Sequence, residues 1–341
     1  MAVNGAGWQT IPKETVTVLG VMVLALLGGP VAAAPSSSCL NELETDLIRA
    51  GISREVVHRA LDGAQIAERV VKRSRNQLEL KKPARDYFSV LVTPERIRDG
   101  CEMMRKYDRV LRAVEWKFGV NRYVVVAIWG IETDYGRKLG NFFLPHALAT
   151  MACQQGQRAD FWRKELLAAL RLVDHGDVAL GELYGSWAGA FGQTQFIPTT
   201  YQHFAVDFDG DGHRDLVHSV ADALASTANY LRENGWRRGK SWLIEVKAPS
   251  DYGGPTGRHD KASLSVWTKR GLMRADGKLL TGDSQAGLLL PAGPAGPGFL
   301  VLDNFDSIYA YNHSEIYALA ISYLADRIAF YPALRTPWPK G

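Results

Sequence analysis

The 341-residue sequence has few cysteines, almost no excess of charge and only one long apolar run. Lysine and arginine number 40 against 36 aspartate and glutamate residues, which leaves a formal charge of +4. So small an excess, without a zinc-finger or RNA-binding motif, gives no reason to expect a nucleic-acid partner. The composition, 46% hydrophobic and 22% charged, is typical of a globular chain and argues against disorder.

The three cysteines, Cys39, Cys101 and Cys153, are too few and too widely spaced for a metal site. In an oxidising compartment they can form one disulfide within the chain, and the sequence does not choose among the three pairings. We assign them a structural role and no chemistry.

The long apolar run lies near the N-terminus, at residues 15–29. It is short for a bilayer span, and the small residues 31–34 that follow it are typical of a signal-peptide cleavage site. We therefore expect residues 1–34 to be a signal peptide, with residues 35–341 exported and without an integral membrane domain. An uncleaved membrane anchor is the alternative.

The rest of the chain is predominantly helical, with one small β region. Apolar residues recur at helical spacing from residue 40 to about 236 and again over 314–329. Ser53, the pair Thr93-Pro94 and Gly119 are signals that begin or end helices in these stretches. Between them, the runs SWLIEVKAP, ASLSVWTKRG and GFLVLDNF are rich in β-branched and aromatic residues and predict strands.

Glu132 is the first ionisable residue after the apolar run VVVAIWGI, near the end of a predicted helix. Trp129 on the same side of that helix would partly desolvate the carboxylate, and the negative end of the helix dipole disfavours the anion further. Both effects favour the protonated carboxyl, which is what a general acid requires. A surface glutamate at a frayed helix end is the alternative.

A second stretch, YGSWAGAFGQTQFIPTTY, combines small residues with Ser186, Gln193 and Gln195. Small residues allow a bulky ligand to approach the backbone, and neutral hydroxyl and amide groups suit a sugar. Close helix packing is the alternative. Ser186 is not expected to be a nucleophile, because Tyr184 replaces the first glycine of the esterase motif.

The stretch DFDGDGHRD has the spacing of a calcium-binding loop. Asp207, Asp209 and Asp211 alternate, and His213 lies where a backbone carbonyl would bind the ion. His218 replaces the glutamate expected at the twelfth position, so Asp222 is our candidate for closing a lengthened loop. An acidic turn without a metal is the alternative.

A fourth stretch, YAYNHSEIYALA, places Asn312 and His313 before Ser314, a natural helix cap, among Tyr309, Tyr311 and Tyr317. By itself this pattern indicates capping and core packing.

Taken together, these stretches resemble the lytic murein transglycosylase B family of bacterial enzymes, which cleave the glycan strands of peptidoglycan. IWGIETDYGR, GSWAGAFGQTQFIP, VDFDGDGHRDL, ADALASTANYL and YNHSEIYALAI stand in the family's order. The resemblance covers about residue 40 to the C-terminus. It implies a periplasmic enzyme with a lysozyme-like helical core, built from residues of about 116–236 and 305–335. A helical region at about 40–115 and a β region at about 240–304 would accompany that core.

The resemblance also implies the roles of the site residues. Glu132 would be the sole catalytic acid and base, and Ser186, Gln195, Asn312 and Tyr317 would line the sugar subsites, to which we add Tyr311. The aspartate loop would bind a structural calcium ion that the chemistry does not require. We expect a monomer that acts on glycan strands and releases 1,6-anhydromuramoyl ends. A hydrolytic muramidase and a non-catalytic, calcium-dependent glycan-binding protein are the alternatives.

Overall fold

The computed structural model describes residues 37–75, 83–154, 156 and 158–339, so the predicted signal peptide lies outside the described residues. The helices are α1 Ser37–Arg49, α2 Arg54–Leu61, α3 Glu68–Arg75, α4 Ala84–Leu91, α5 Pro94–Lys106, α6 Asp108–Phe118, α7 Arg122–Thr133, α8 Leu144–Ala152, α9 Ala159–Asp174, α10 Pro198–Phe204, α11 Val220–Glu233, α12 Leu264–Lys269, α13 Asp303–Asn312 and α14 Glu315–Ile328. The strands are β1 Phe142–Phe143, β2 Tyr184–Gly185, β3 Leu243–Lys247, β4 Gly257–Ser263, β5 Met273–Arg274, β6 Gln285–Leu289 and β7 Gly298–Val301. Within these ranges, no helix has the length and hydrophobicity needed to cross a bilayer.

The predicted helix signals act where the sequence places them. The Ser53 side chain accepts from the backbone N–H of Val56 at the start of α2, and Thr93 does the same for Arg96 at the start of α5. Gly119 ends α6 in the left-handed conformation, with φ 73°. These ends are confirmed because each depends only on residues one turn away.

Helix α7 runs through the centre of the helical part of the molecule. Asn121 caps its first turn by accepting from the Tyr123 N–H, and residues 124–130 are all buried. Helix α14 packs along α7. Helix α7 is therefore held from several sides, which gives its C-terminal end a defined position.

One hydrophobic core joins α1 to α11 with α13 and α14, so the helices at about 40–115 share their core with α7. The domain boundaries drawn from the sequence therefore stay predictions. A disulfide between Cys39 and Cys153 ties α1 to the end of α8, and Cys101 is half-buried and unbridged. The structure thus selects one of the three possible pairings.

The β region is a five-stranded antiparallel sheet with the strand order β4-β6-β7-β3-β5. It has a small core of its own, with Trp267 fully buried at the centre. The strand predicted for ASLSVWTKRG is confirmed only for its first two residues, which end β4, because residues 264–269 form α12. Ser263 caps this helix, and Leu264 and Trp267, three residues apart, both turn into the small core.

Candidate active site

Glu132 lies one residue before the end of α7 and is half-buried. The chain leaves the helix through three residues with positive φ, Asp134 at 55°, Tyr135 at 60° and Gly136 at 82°. The Tyr135 ring folds back onto Gly130, where a Cβ atom would lie 2.6 Å from the ring. Glycine at position 130 therefore lets the turn close tightly behind Glu132.

Two tyrosines lie close to the Glu132 carboxylate. Tyr317, on α14, donates a short hydrogen bond from its Oη to Glu132 Oε1. Tyr311, at the end of α13, donates from its Oη to the Thr194 carbonyl, 2.7 Å away. The three side chains come from three helices, and the sequence separates Glu132 from both tyrosines by more than half the chain.

Both phenols hold their protons firmly. Burial raises the pKa of Tyr317 well above its usual range, and the negative charge of Glu132 raises it further. The same two causes raise the pKa of Tyr311. Near neutral pH both tyrosines are therefore neutral hydrogen-bond donors, and neither can serve as a base.

The loop that carries Ser186 lies next to the turn after α7, and we call it the wall of the candidate site. Strands β1 and β2 pair there, and a Cβ on Gly140 would lie 2.2 Å from the Gly185 backbone. Ser186 Oγ accepts from the backbone N–H of Ala188 at 3.3 Å and of Ala190 at 3.0 Å. Ser186 is half-buried and holds its own loop, and its hydroxyl hydrogen remains available to donate.

Gln195 also lies at this wall, in the left-handed conformation with φ 54°. Its side-chain NH₂ group donates to the carbonyls of Leu139 at 3.1 Å and Gly192 at 3.0 Å. Gln195 thus ties the loop to the chain that follows Glu132. The neighbouring Thr194 accepts from Tyr311, which joins the same wall to α13.

Asn312 is the last residue of α13 and directly follows Tyr311. Its Oδ1 is buried and has no hydrogen-bond partner among the described residues, and the same holds for Nδ1 of His313. Burial lowers the pKa of His313, and the Arg258 guanidinium lowers it further. One polar atom of each of these neutral side chains at the α13–α14 corner therefore lacks a partner in the part of the chain that the structure describes.

The sequence reasoning missed Thr133, the residue after Glu132. Its side chain is 1% exposed, and Oγ1 donates to the Gln193 carbonyl at 2.5 Å while accepting from the Gly136 N–H at 3.0 Å. The hydroxyl thus joins the end of α7 to the loop that carries Gln195. A hydroxyl next to the candidate acid was visible in the sequence, but its partner lies 60 residues away.

The aspartate loop presents three carboxylates to one point. Oxygen atoms of Asp207, Asp209 and Asp211 lie within 4.8 Å of one another, and all three residues are exposed. Asp207 also accepts from the N–H groups of Gly210 and Gly212, at 2.7 and 2.9 Å. Converging hard oxygen donors fit a calcium ion, which would offset the repulsion among them.

Asp222 lies outside that cluster and is fully buried beside it. Its two oxygens accept from the N–H groups of Phe208, Asp209 and Asp215, at 2.7, 3.3 and 2.9 Å. Asp222 therefore anchors the loop to α11. The roles of Asp222 and His213 as ligands stay predictions.

Comparison with known proteins places the chain in a family. The model of the transglycosylase SLT domain matches residues 35–326. The membrane-bound lytic murein transglycosylase B of Escherichia coli (strain K12) is 32% identical over 314 residues, which are 89% of this chain and 85% of that protein.

Two solved structures are similar over most of the chain. SltB3 from Pseudomonas aeruginosa, solved in complex with NAG-anhNAM-pentapeptide, is 40% identical, with a TM-score of 0.84 over 89% of this chain and 81% of that one. The Escherichia coli lytic transglycosylase Slt35, solved in complex with calcium, is 29% identical, with a TM-score of 0.75 over 94% and 98%.

These findings confirm the predicted fold class, α+β and predominantly α with a lysozyme-like helical core and a small β region. They also confirm the family that the sequence motifs indicate. The chain belongs to the transglycosylase SLT domain family and is a lytic murein transglycosylase, an enzyme that cleaves glycosidic bonds of peptidoglycan.

Proposed function

We propose that this enzyme cleaves the β-1,4 bond between N-acetylmuramic acid and N-acetylglucosamine without water, with Glu132 as its only acid and base. The observation that supports this most directly is the placement of Glu132 beside Tyr317 and Tyr311, two phenols that keep their protons. Among these three groups only the carboxyl can give and then take a proton near neutral pH.

In the first step, protonated Glu132 gives its proton to the glycosidic oxygen, and the bond from that oxygen to C1 breaks. The N-acetyl oxygen of the muramic acid residue bonds to C1, and the positive charge moves from C1 onto the acetamido group, as in substrate-assisted glycosidases. Oε1 accepts from Tyr317, so we assign the proton transfer to Oε2. The N-acetylglucosamine part leaves with a new hydroxyl group.

In the second step, the Glu132 carboxylate takes the proton of the muramic acid C6 hydroxyl. The C6 oxygen bonds to C1, the bond from the N-acetyl oxygen to C1 breaks, and Glu132 is again protonated. The attack is intramolecular, so the hydroxyl acts at a high effective concentration and competes well with water. The product has a 1,6-anhydro end. The complex of SltB3 with NAG-anhNAM-pentapeptide supports this outcome for a similar protein.

The sugar subsites that we propose consist of neutral groups. The Ser186 hydroxyl has a hydrogen to donate, and Asn312 Oδ1 needs a donor such as the N–H of an acetamido group. Gln195 and Tyr311 hold the loop of residues 184–196, which carries Ser186, in place through their backbone partners. Neutral donors and acceptors suit an uncharged N-acetyl sugar, because burying an unpaired ion would cost far more.

Mass spectrometry of digested sacculi tests the proposal. Anhydro ends in all new products would support it, whereas reducing ends would identify a muramidase that uses water. A wild-type protein that binds sacculi and releases nothing would indicate a glycan-binding protein. Glu132→Gln is the matched control, since the amide keeps the shape of the side chain and cannot supply the proton.

We also propose that the loop of Asp207, Asp209 and Asp211 binds calcium and stabilises the fold without taking part in the chemistry. The convergence of three exposed carboxylates supports this, as does the similar Slt35 structure in complex with calcium. We further propose that His213 and Asp222 are ligands of this ion. We also propose that the protein is a monomer and lies in the periplasm.

A further inference from the structure

The strands β1 and β2 form a two-stranded ribbon directly before Ser186. Exposure alternates along this part of the chain, because Leu183 and Gly185 are buried while Tyr184 is 46% exposed and Ser186 is half-buried. A Cβ atom on Gly185 would lie 2.1 Å from the Ala190 carbonyl oxygen, so the Gly185 side of the chain faces inward. Alternate residues of a strand point to opposite faces, which places Tyr184 and Ser186 together on the outer face.

A second aromatic ring lies beside Tyr184 on that outer face. Phe143 is the cross-strand partner of Tyr184, and side chains directly opposite in an antiparallel pair share a face. The centroids of the two rings are 5.4 Å apart, and the His146 ring packs edge-on against Phe143 at 5.0 Å. Phe143 is thereby held between its neighbours, while Tyr184 keeps almost half of its surface exposed. We call Phe143 and Tyr184 the aromatic platform.

The aromatic platform continues the group of residues proposed for the sugar subsites. Two residues of a strand advance about 6.6 Å, which is comparable with the length of one sugar residue, so the Tyr184 ring lies about one sugar away from Ser186. The enzyme acts on peptidoglycan, whose glycan strands are unbroken chains of sugars. A strand that occupies Ser186 and runs along the outer face therefore brings its next sugar over Tyr184.

The chemistry of the aromatic platform suits the face of a sugar ring. A pyranose in a β-1,4-linked strand has its hydroxyl groups around the edge and C–H groups on its faces. The negative face of an aromatic ring attracts such C–H groups, and the contact removes apolar surface of both rings from water. Stacking of this kind needs neither an ion nor a buried hydrogen bond, and Tyr184 and Phe143 carry no charge.

We propose, on the basis of the proposed function of Ser186, that the Tyr184 ring binds the neighbouring sugar of the glycan strand and so adds a subsite to the cleft. Phe143 supports the ring from the side. This gives a role to the tyrosine that replaces the first glycine of the esterase motif. The ring contacts no reacting atom, so its loss should weaken binding of the strand rather than slow the chemical step.

Titration calorimetry with peptide-free glycan strands tests the proposal, in the Glu132→Gln background so that the strands are not cleaved. Adding Tyr184→Ala should raise the Kd about ten-fold, which corresponds to about 1.4 kcal/mol and is within the range of aromatic contacts. Adding Tyr184→Phe keeps the ring and should leave the Kd within about two-fold. Adding Tyr184→Leu keeps apolar surface without a flat ring and should resemble Tyr184→Ala.

Tyr331→Ala in the same background is the matched control. Tyr331 is 61% exposed and follows the end of α14, whereas Tyr317 lies near the start of that helix. Tyr331→Ala should therefore leave the Kd unaltered. All of these side chains are exposed or replaced by smaller ones, so melting of each variant near the Tm of Glu132→Gln should confirm that it is folded.

The proposal is overturned if Tyr184→Ala leaves the Kd unaltered, or if Tyr184→Leu binds as well as Tyr184→Phe. It is also overturned if Tyr184→Ala weakens binding only of strands that carry peptides, because the ring would then contact the peptide.

Two results separate this subsite from the proposed function. If Ser186→Ala lowers kcat on sacculi while Tyr184→Ala leaves the Kd unaltered, the subsite fails and the proposed function stands. If the wild type releases reducing ends while Tyr184→Ala raises the Kd, the subsite stands and the non-hydrolytic reaction fails.

Discussion

Thr133→Val tests whether the hydroxyl behind Glu132 positions the catalytic carboxyl. Valine has nearly the shape of threonine, so the substitution removes the bonds to Gln193 and Gly136 with little change of volume. The end of α7 then loses its direct link to the loop that carries Gln195. We expect a loss of both stability and turnover.

The structure sets the size of each effect. A buried polar group left without a partner costs about 1–3 kcal/mol, so two such groups lower the free energy of unfolding by about 2–4 kcal/mol after relaxation. In a chain of this size that corresponds to a fall in Tm of about 3–6 °C. A displacement of the carboxyl by about 1 Å would lower kcat about 10- to 100-fold with little change in KM.

The assay measures kcat and KM on purified sacculi and Tm by calorimetry. Thr133→Ser keeps the hydroxyl and should restore both. Thr150→Val is the matched control, because Thr150 is also fully buried, donates to the His146 carbonyl at 2.8 Å and accepts from the Ala67 N–H at 3.1 Å. Its partners lie at α3 and α8, which carry none of the proposed site residues.

Thr150→Val should therefore lose comparable stability and keep its turnover. If Thr133→Val loses stability and keeps kcat within about two-fold of the wild type, the Thr133 hydroxyl is only structural. If both valine variants lose turnover to the same extent, loss of stability alone explains the effect. Either result would refute the positioning role.

Four further outcomes are expected. Glu132→Gln should lower the cleavage rate by at least about 100-fold while Tm and glycan binding stay near the wild type, and retention of more than a hundredth of the rate would assign the role elsewhere. Calcium should raise Tm by mass action and a chelator should lower it, and the rise should be smaller in Asp211→Asn. An equal rise in Tm in that variant would exclude the loop as the calcium site. Burial raises the pKa of Asp326 to about 7, above its value in the unfolded chain, so the free energy of unfolding should fall as the pH rises from about 4 to 7. Calorimetry of Asp326→Asn should show a flatter dependence of Tm on pH. Asn312→Ala should lower kcat without lowering Tm in kinetic and melting measurements, because Oδ1 has no partner among the described residues. In the same measurements Ser186→Ala should lower both kcat and Tm, because it loses two accepted hydrogen bonds.

The helices could be predicted from the sequence where their ends depend on neighbouring residues. Caps such as Ser53 and Thr93, and the left-handed Gly119, act within one turn of the chain. The strand prediction failed for residues 264–269 because β-branched and aromatic residues dominate their composition, which favours a strand. Its helix depends on the cap at Ser263 and on the burial of Trp267 in a core that the distant strands create.

The candidate site was predictable in part for the same reason. Glu132 stands out because an apolar run precedes it, and the aspartates of the loop stand out because alternate spacing within a tight turn makes them converge. Ser186 and Gln195 were visible as neutral groups that suit a sugar, although close helix packing was an alternative explanation of their stretch. Only the family resemblance pointed to Asn312, and neither approach identified Thr133.

The sequence by itself determined the helical content, the candidate acid, the acidic loop and the family, since periodicity, caps and motifs are properties of neighbouring residues. The tertiary structure alone decided which cysteines pair, that Tyr317 reaches Glu132 across 185 residues, and that Thr133 bonds to Gln193. Such contacts depend on how helices pack and on which buried polar groups find partners. These outcomes follow from the packing of the whole chain, so no short stretch of sequence contains them.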